Sequence, residues 1–175
     1  MENQKQQILG IFIRPATDED SDAVTKLLFN IWTNEYQFNV RKEDFPDLKE
    51  IEKSYMQAGG RFFVAIHNDQ VIGTIACEKL GDACFVLKRM FVSKAFRRRG
   101  VAQFLLDNLL AQVLFSCGHK DMCFYLSTKE NEAIAAKRFY LKNGFEVVSK
   151  EDLPDNFPFF YEDDLFMMRK MKNTN

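Results

Sequence analysis

The stretch "MFVSKAFRRRGVAQFLLDNLL", residues 90–110, decides how this chain is read. It opens on an apolar, β-prone run and ends in an apolar stripe at helical spacing (Val101, Ala102, Leu105, Leu106, Leu109, Leu110, extended by Val113). Between them stand Arg97, Arg98 and Arg99, followed at once by Gly100. Three like charges at a strand-to-helix join repel one another unless an anion sits among them. The first N–H groups of a helix lack internal partners, and the helix dipole adds positive charge there, so such a join suits a phosphate group. Gly100 lets backbone approach a bulky anion without a Cβ, and Ala102 keeps the first turn small. Arginine forks match phosphate oxygens, so several donors converging on one pyrophosphate would relieve the repulsion. The simpler alternative is a solvated basic turn at the start of an amphipathic helix.

The rest of the composition narrows what that anion is. The chain has 175 residues, 46% hydrophobic and 28% charged, as expected of one globular domain spanning 1–175 with residues 1–10 and 172–175 peripheral. Its formal net charge is -1, so the arginine cluster is local. Nucleic-acid binders show a basic excess over the whole domain, and no stacking motif accompanies Lys88, Arg89 and Lys94; nucleic acid is not expected as a partner. The polar start "MENQKQQILG" does not read as a signal peptide, and no apolar run reaches membrane-spanning length. A cytoplasmic protein without a membrane partner is expected. Four cysteines without a CxxC pair and only two histidines predict reduced thiols and no metal site; Cys117, His119 and Cys123 lack the usual ligand spacing.

Periodicity predicts the order β-α-α-β-β-β-α-β-α-β-β, a mixed α/β domain. "IFIRPAT" is a first strand stopped by Pro15, with Thr17 and Asp18 as N-cap candidates. Val24, Leu27, Leu28 and Ile31 form one helical face, and Leu48, Ile51 and Tyr55 a second. "RFFVAI" and "QVIGTIACEKL" flank "HND" as a hairpin, and "CFVLKRMFV" and "MCFYLST" are further strands. "NEAIAAKRFYLKNG" is a helix stopped at Asn143-Gly144, and "FEVVS" and "DLFMMRKM" are the last strands.

"RRRGVA" is similar to the R/Q-x-x-G-x-G/A motif of the GNAT superfamily of N-acetyltransferases, with Arg97, Gly100 and Ala102 in the defining places. "AAKRFYLKNGF" resembles that family's A-x-x-x-Y-x-x-x-G-F segment through Ala136, Tyr140, Gly144 and Phe145. The resemblance covers nearly the whole chain, Ile11 to Met171. It implies a central, mostly antiparallel twisted sheet of six to seven strands, splayed at its middle and flanked by about four helices. It implies acetyl-CoA as co-substrate, with the pantetheine arm along Met90, Phe91 and Val92. The pyrophosphate would lie on Arg97, Arg98, Arg99, Gly100, Val101 and Ala102, chiefly through backbone N–H groups. Arg99 could instead face solvent or the cofactor's ribose phosphate. Acetyl transfer would follow direct attack by a primary amine, with Tyr140 as general acid toward the departing thiolate. A tyrosine in the core of an amphipathic helix is the plainer reading of Tyr140.

Two departures from the family pattern stand out. Relatives often carry a cofactor-bonding asparagine where this chain has Ala133; Asn131 is the nearest, either as a helix N-cap or as a displaced cofactor contact. Some relatives place a glutamate where Val86 stands, and Glu78, Glu162, Asp163 and Asp164 stay open as the base that must deprotonate an ammonium of pKa about 10.4. For the acceptor, "WTNEYQF" and "FPFFYEDD" offer aromatic walls (Trp32, Tyr36, Phe38, Phe157, Phe159, Phe160, Tyr161) and acids, with Trp32, Tyr36, Glu78 and Asp163 as binding candidates. These suit a small amine, a cationic one included, through burial and cation–π contact. The aromatics could equally be core and the acids a solvated loop. The alternatives are a peptide or protein amine, or a catalytically inactive acetyl-CoA-binding module. A homodimer is compatible with the sequence.

Overall fold

The computed structural model describes residues 10–118, 121–130, 134–160 and 163–172. Asn131, Glu162, Tyr161 and His119 lie outside the described residues. Seven strands form one sheet in the order β1-β2-β3-β4-β5-β7-β6: β1 Ile11–Pro15, β2 Arg61–His67, β3 Gln70–Gly81, β4 Cys84–Val92, β5 Met122–Thr128, β6 Glu146–Val148 and β7 Leu165–Met171. The α-helices are α1 Ser21–Asn30, α2 Val101–Ser116 and α3 Ile134–Lys142. A further helical stretch covers Pro46–Leu48 and Glu52–Met56. The order of the strands and of α1, α2 and α3 matches the periodicity of the sequence, while the second helix expected from Asp47 is made of short helical turns instead of an α-helix.

The chain divides into two compact units, Met1–Glu78 with Lys88–Val113, and Lys79–Leu87 with Leu114–Asn175. In the first, β1, β2 and β3 pair antiparallel, and His67 and Gln70 close a two-residue turn. Asn68 and Asp69 both take positive φ (47° and 57°), the twist that suits a tight hairpin and that short polar side chains tolerate. The two helical faces read from the sequence become core: Val24, Leu28, Ile31, Leu48, Ile51 and Tyr55 are all buried against Phe62, Val64 and Ile66. α1 continues into a wider turn over Ile31–Glu35, which carries Trp32 into the same core.

α2 packs closely on this sheet because of Gly73. A Cβ there would stand 3.1 Å from Leu105 Cδ1 and 3.2 Å from the Phe91 carbonyl oxygen. Val101, Leu105, Leu106, Leu109 and Leu110, the stripe that opened the reading, are its buried face. In the second unit β4 pairs parallel with β5 from Cys84↔Cys123 to Val86↔Tyr125, β5 pairs antiparallel with β7, and β7 with β6. The last strand in sequence therefore lies inside the sheet, and β6, three residues long, forms the edge. A short edge limits the row of open backbone groups.

Candidate functional site

The loop that follows β4 has the backbone of an anion cradle. Arg98 and Gly100 both take positive φ (61° and 83°), while Arg97 between β4 and them is extended. Gly100 ends the loop, since its carbonyl accepts the N–H of Phe104 at 2.9 Å and so starts α2. Having no side chain, Gly100 supplies no capping oxygen to the start of α2. No acid occupies the first turn of α2. Left-handed residues in a turn ahead of a helix are the kind of backbone that can present N–H groups to an anion.

The three arginines divide differently from their order in the motif. Arg97 is turned inward: its Nε donates to the Val92 carbonyl at 2.8 Å, and its two terminal nitrogens donate to Glu35 at 2.6 and 2.9 Å. Its side chain thus ties the loop to the end of α1 and is no longer an open phosphate fork. Arg99 lies over the Phe96 ring, 5.6 Å from its centroid. Arg98 is exposed and makes no hydrogen bond or ion pair among the described residues. Among the described residues neither the Arg98 nor the Arg99 guanidinium makes a hydrogen bond or ion pair, so both charges stay open at the loop, that of Arg99 over a ring.

Upstream, β4 is bent at Arg89, whose φ is 55°. Its guanidinium is 9% exposed and grips Asp47, Nε to Oδ2 at 3.1 Å and Nη2 to both carboxylate oxygens at 3.0 Å. The ring centroids of Phe45 and Trp32 stand 5.0 and 5.5 Å from it. Asp47 also accepts the Tyr55 hydroxyl at 2.5 Å, and burial pushes the Tyr55 phenol well above its ordinary value. Sequence reasoning treated Arg89 as one more cation near the loop. The Asp47–Arg89 separation of 42 residues leaves no local signal for their pairing.

Trp32 is buried, stacked on Phe45 at 4.5 Å and edge-on to Phe91 at 5.6 Å, so it packs the core instead of standing as an open wall. The π-face expected for a cationic substrate already carries Arg89. Tyr36 is 38% exposed and stacks on Phe38 at 5.5 Å. Glu78 accepts a hydrogen bond from Lys88 at 2.9 Å.

In the second unit Tyr140 is held by the end of α3. The N–H of Phe145 donates to the Tyr140 carbonyl at 3.0 Å and that of Gly144 to Leu141 at 3.1 Å, with Gly144 at φ 76°. This is a Schellman stop, and its accompanying apolar contact joins Tyr140 to Phe145, whose rings meet edge-on at 5.3 Å. The spacing Y-x-x-x-G-F is the spacing of that stop: tyrosine on the last turn, glycine in the left-handed position, phenylalanine folding back. Tyr140 is 7% exposed. Asp163 accepts the Ser127 hydroxyl at 2.5 Å, Asp164 accepts the Glu130 N–H at 2.7 Å, and the Asp164 N–H donates to Thr128, so these acids fasten a loop to the end of β5. Phe157 is buried, while Phe159 is 51% and Phe160 38% exposed. Among the described residues no group of three or more His, Cys, Asp or Glu could hold a metal ion, and no helix is long and apolar enough to cross a membrane.

Both motif segments fall inside residues 58–147, which match the family model of the acetyltransferase (GNAT) domain. The chain belongs to the GNAT acetyltransferase family. By that membership it is classed as an acyltransferase. A GNAT-family acetyltransferase from Staphylococcus aureus Mu50 is 31% identical, with a TM-score of 0.85 over 93% of this chain and 99% of that one. The PaiA N-acetyltransferase of Thermoplasma acidophilum, solved in complex with coenzyme A, shares the fold at 17% identity, with a TM-score of 0.70 over 93% of this GNAT chain and all of that one (100%). The rat protein N-acetyltransferase 8F1 is 32% identical over 105 residues, 57% of this chain, and the match spans 46% of the rat protein's length.

Proposed function

We propose that this chain transfers an acetyl group from acetyl-CoA to a primary amine by direct attack, and that its acceptor is a small amine. The observation that carries the cofactor half is the loop Arg98–Gly100: two left-handed residues, a glycine at the helix start, and the Arg98 and Arg99 guanidinium groups without an ion pair among the described residues. These groups suit the pyrophosphate, the N–H groups of residues 98–102 as the main donors and Arg98 as the charged helper. The internal bonds of Arg97 make it the strut of that loop. The backbone of Met90–Val92 would hold the pantetheine arm.

The thioester supplies an activated acyl group. The amine nitrogen forms the new C–N bond as the C–S bond breaks; the amine loses a proton and the thiolate gains one. Tyr140 is proposed to supply the latter, since a phenol held on a rigid helix end can hydrogen-bond a departing sulfur. The amine must be neutral to attack, and Glu78, Asp163 and Asp164 each already accept an internal hydrogen bond. A water between one of them and the amine is consistent with that arrangement. For the acceptor side, Tyr36, exposed and stacked on Phe38, is the proposed aromatic contact; Trp32 would act behind it as packing.

A thiol-release assay over polyamines, aminoglycosides, amino acids and peptides with free N-termini tests the reading. Turnover confined to peptides would replace the small-amine acceptor with a peptide one. Tyr140→Phe is expected to lower kcat by roughly one to three orders of magnitude while leaving the melting temperature close to wild type, because the ring contact with Phe145 is kept. Unchanged turnover would remove Tyr140 from the chemistry.

A further inference from the structure

We propose that Arg89 is a positioning residue: with Asp47 it clamps the bend in β4, holding the peptide groups of Met90–Val92 in the orientation that receives the cofactor. This rests on the cofactor placement proposed above. A non-glycine residue at φ 55° in the middle of a strand is strained and persists only where its surroundings fix it. Residue 89 is fixed at both ends. Its carbonyl accepts the hydroxyl of Thr74, a fully buried side chain, at 2.6 Å. Its guanidinium is locked by the forked contact with Asp47, between the Phe45 and Trp32 rings. Asp47 is in turn held by Tyr55.

Stability alone does not account for this cluster. Desolvation offsets most of the attraction in a buried ion pair, and apolar residues of equal volume serve as well or better. What a planar fork on a carboxylate adds is a single direction, which apolar packing does not specify. A left-handed residue within a strand also re-aims the residues that follow it, here Met90 to Val92. The clamp therefore acts on the backbone, and its signature is a dependence on what residue 89 can adopt as φ.

That signature separates two nearly isosteric variants. In the background Asp47→Asn, which avoids leaving a half-buried unpaired carboxylate, Arg89→Ala and Arg89→Gly lose the same ion pair and differ by one methyl group. Glycine takes positive φ without steric cost and alanine does not. The alanine variant is expected to bind acetyl-CoA about tenfold more weakly by calorimetry, the equivalent of about 1.4 kcal/mol, and to exchange the amides of Met90–Val92 faster. The glycine variant, relieved of the steric cost but still without the fork, should recover about half of that loss and remain about threefold weaker than wild type; a glycine variant equal to wild type would show the fork to be dispensable and overturn the clamp. Thr74→Val, which removes the donor at the carbonyl end, should shift both readouts the same way by less. Equal affinity and equal exchange in the alanine and glycine variants would overturn the clamp while leaving acetyl-CoA binding by the wild type intact. A wild type that binds no acetyl-CoA in the same titration would overturn the cofactor placement, and the positioning role with it.

Discussion

Two arginines nine positions apart, Arg89 and Arg98, share a left-handed backbone (φ 55° and 61°) and almost nothing else. Arg89 has a side chain only 9% exposed, forked onto Asp47 and covered by two rings. Arg98 stands in solvent with no ion pair among the described residues. Strain with internal compensation fixes a shape; strain beside an open charge and a glycine helix start leaves donors for something outside the chain. The same residue type at the same unfavourable φ thus marks a strut in one place and a receptor in the other.

The comparison breaks most readily at Gly100. Its φ of 83° excludes β-branched residues, so Gly100→Val should weaken acetyl-CoA binding by roughly 10- to 100-fold. Binding within twofold of wild type would mean that the loop geometry is not what holds the anion. Arg98→Ala should cost roughly tenfold in affinity, the scale of one charge-assisted hydrogen bond, with the loss shrinking as salt is raised. An affinity independent of Arg98 would put its open charge outside the site. Arg97→Ala should do the reverse: a lower melting temperature from the lost tie to Glu35 and Val92, and a smaller change in affinity than Arg98→Ala gives. Calorimetry beside thermal melts separates the two.

The smallest effect sharpens what a clamped pair contributes. Arg14 donates to both oxygens of Asp20 at 2.6 and 2.7 Å, and this contact holds the Asp20 carboxyl below the ordinary carboxylate range, burial opposing it. A carboxylate whose folded pKa is depressed adds stability above its unfolded pKa of about 3.9 and loses it as pH falls through the lower folded value. Asp20→Asn should flatten that part of the acid limb, below about pH 4, and leave the melting temperature at pH 8 only modestly reduced. An acid limb identical to wild type would assign the loss to other carboxylates.

Much of the architecture was open to reading along the chain because it depends on neighbours in sequence. The helical stripes of Val24–Ile31 and Val101–Val113, the Asn68-Asp69 turn and the stop at Gly144 are set by side-chain period and by which residues tolerate positive φ. The Y-x-x-x-G-F spacing was legible for that reason, being a local hydrogen-bond motif. The candidate site was legible only in outline. Arg97 stood in the motif position, yet its fork goes to Glu35, 62 residues earlier, and the open charges are those of the two arginines after it. Trp32 looked available because nothing near it in sequence says that Phe45, Phe91 and Arg89 will close over it.

By itself, then, the sequence determined the order of elements, the glycine start of α2 and the helix stop that holds Tyr140. Each follows from interactions within a few residues, where backbone geometry leaves few choices. The tertiary structure alone decided which arginines of this region are struts and which stay open among the described residues, and where β4 bends. Those outcomes depend on carboxylates and rings brought together by the fold, and a side chain's availability is set by the partners that reach it first.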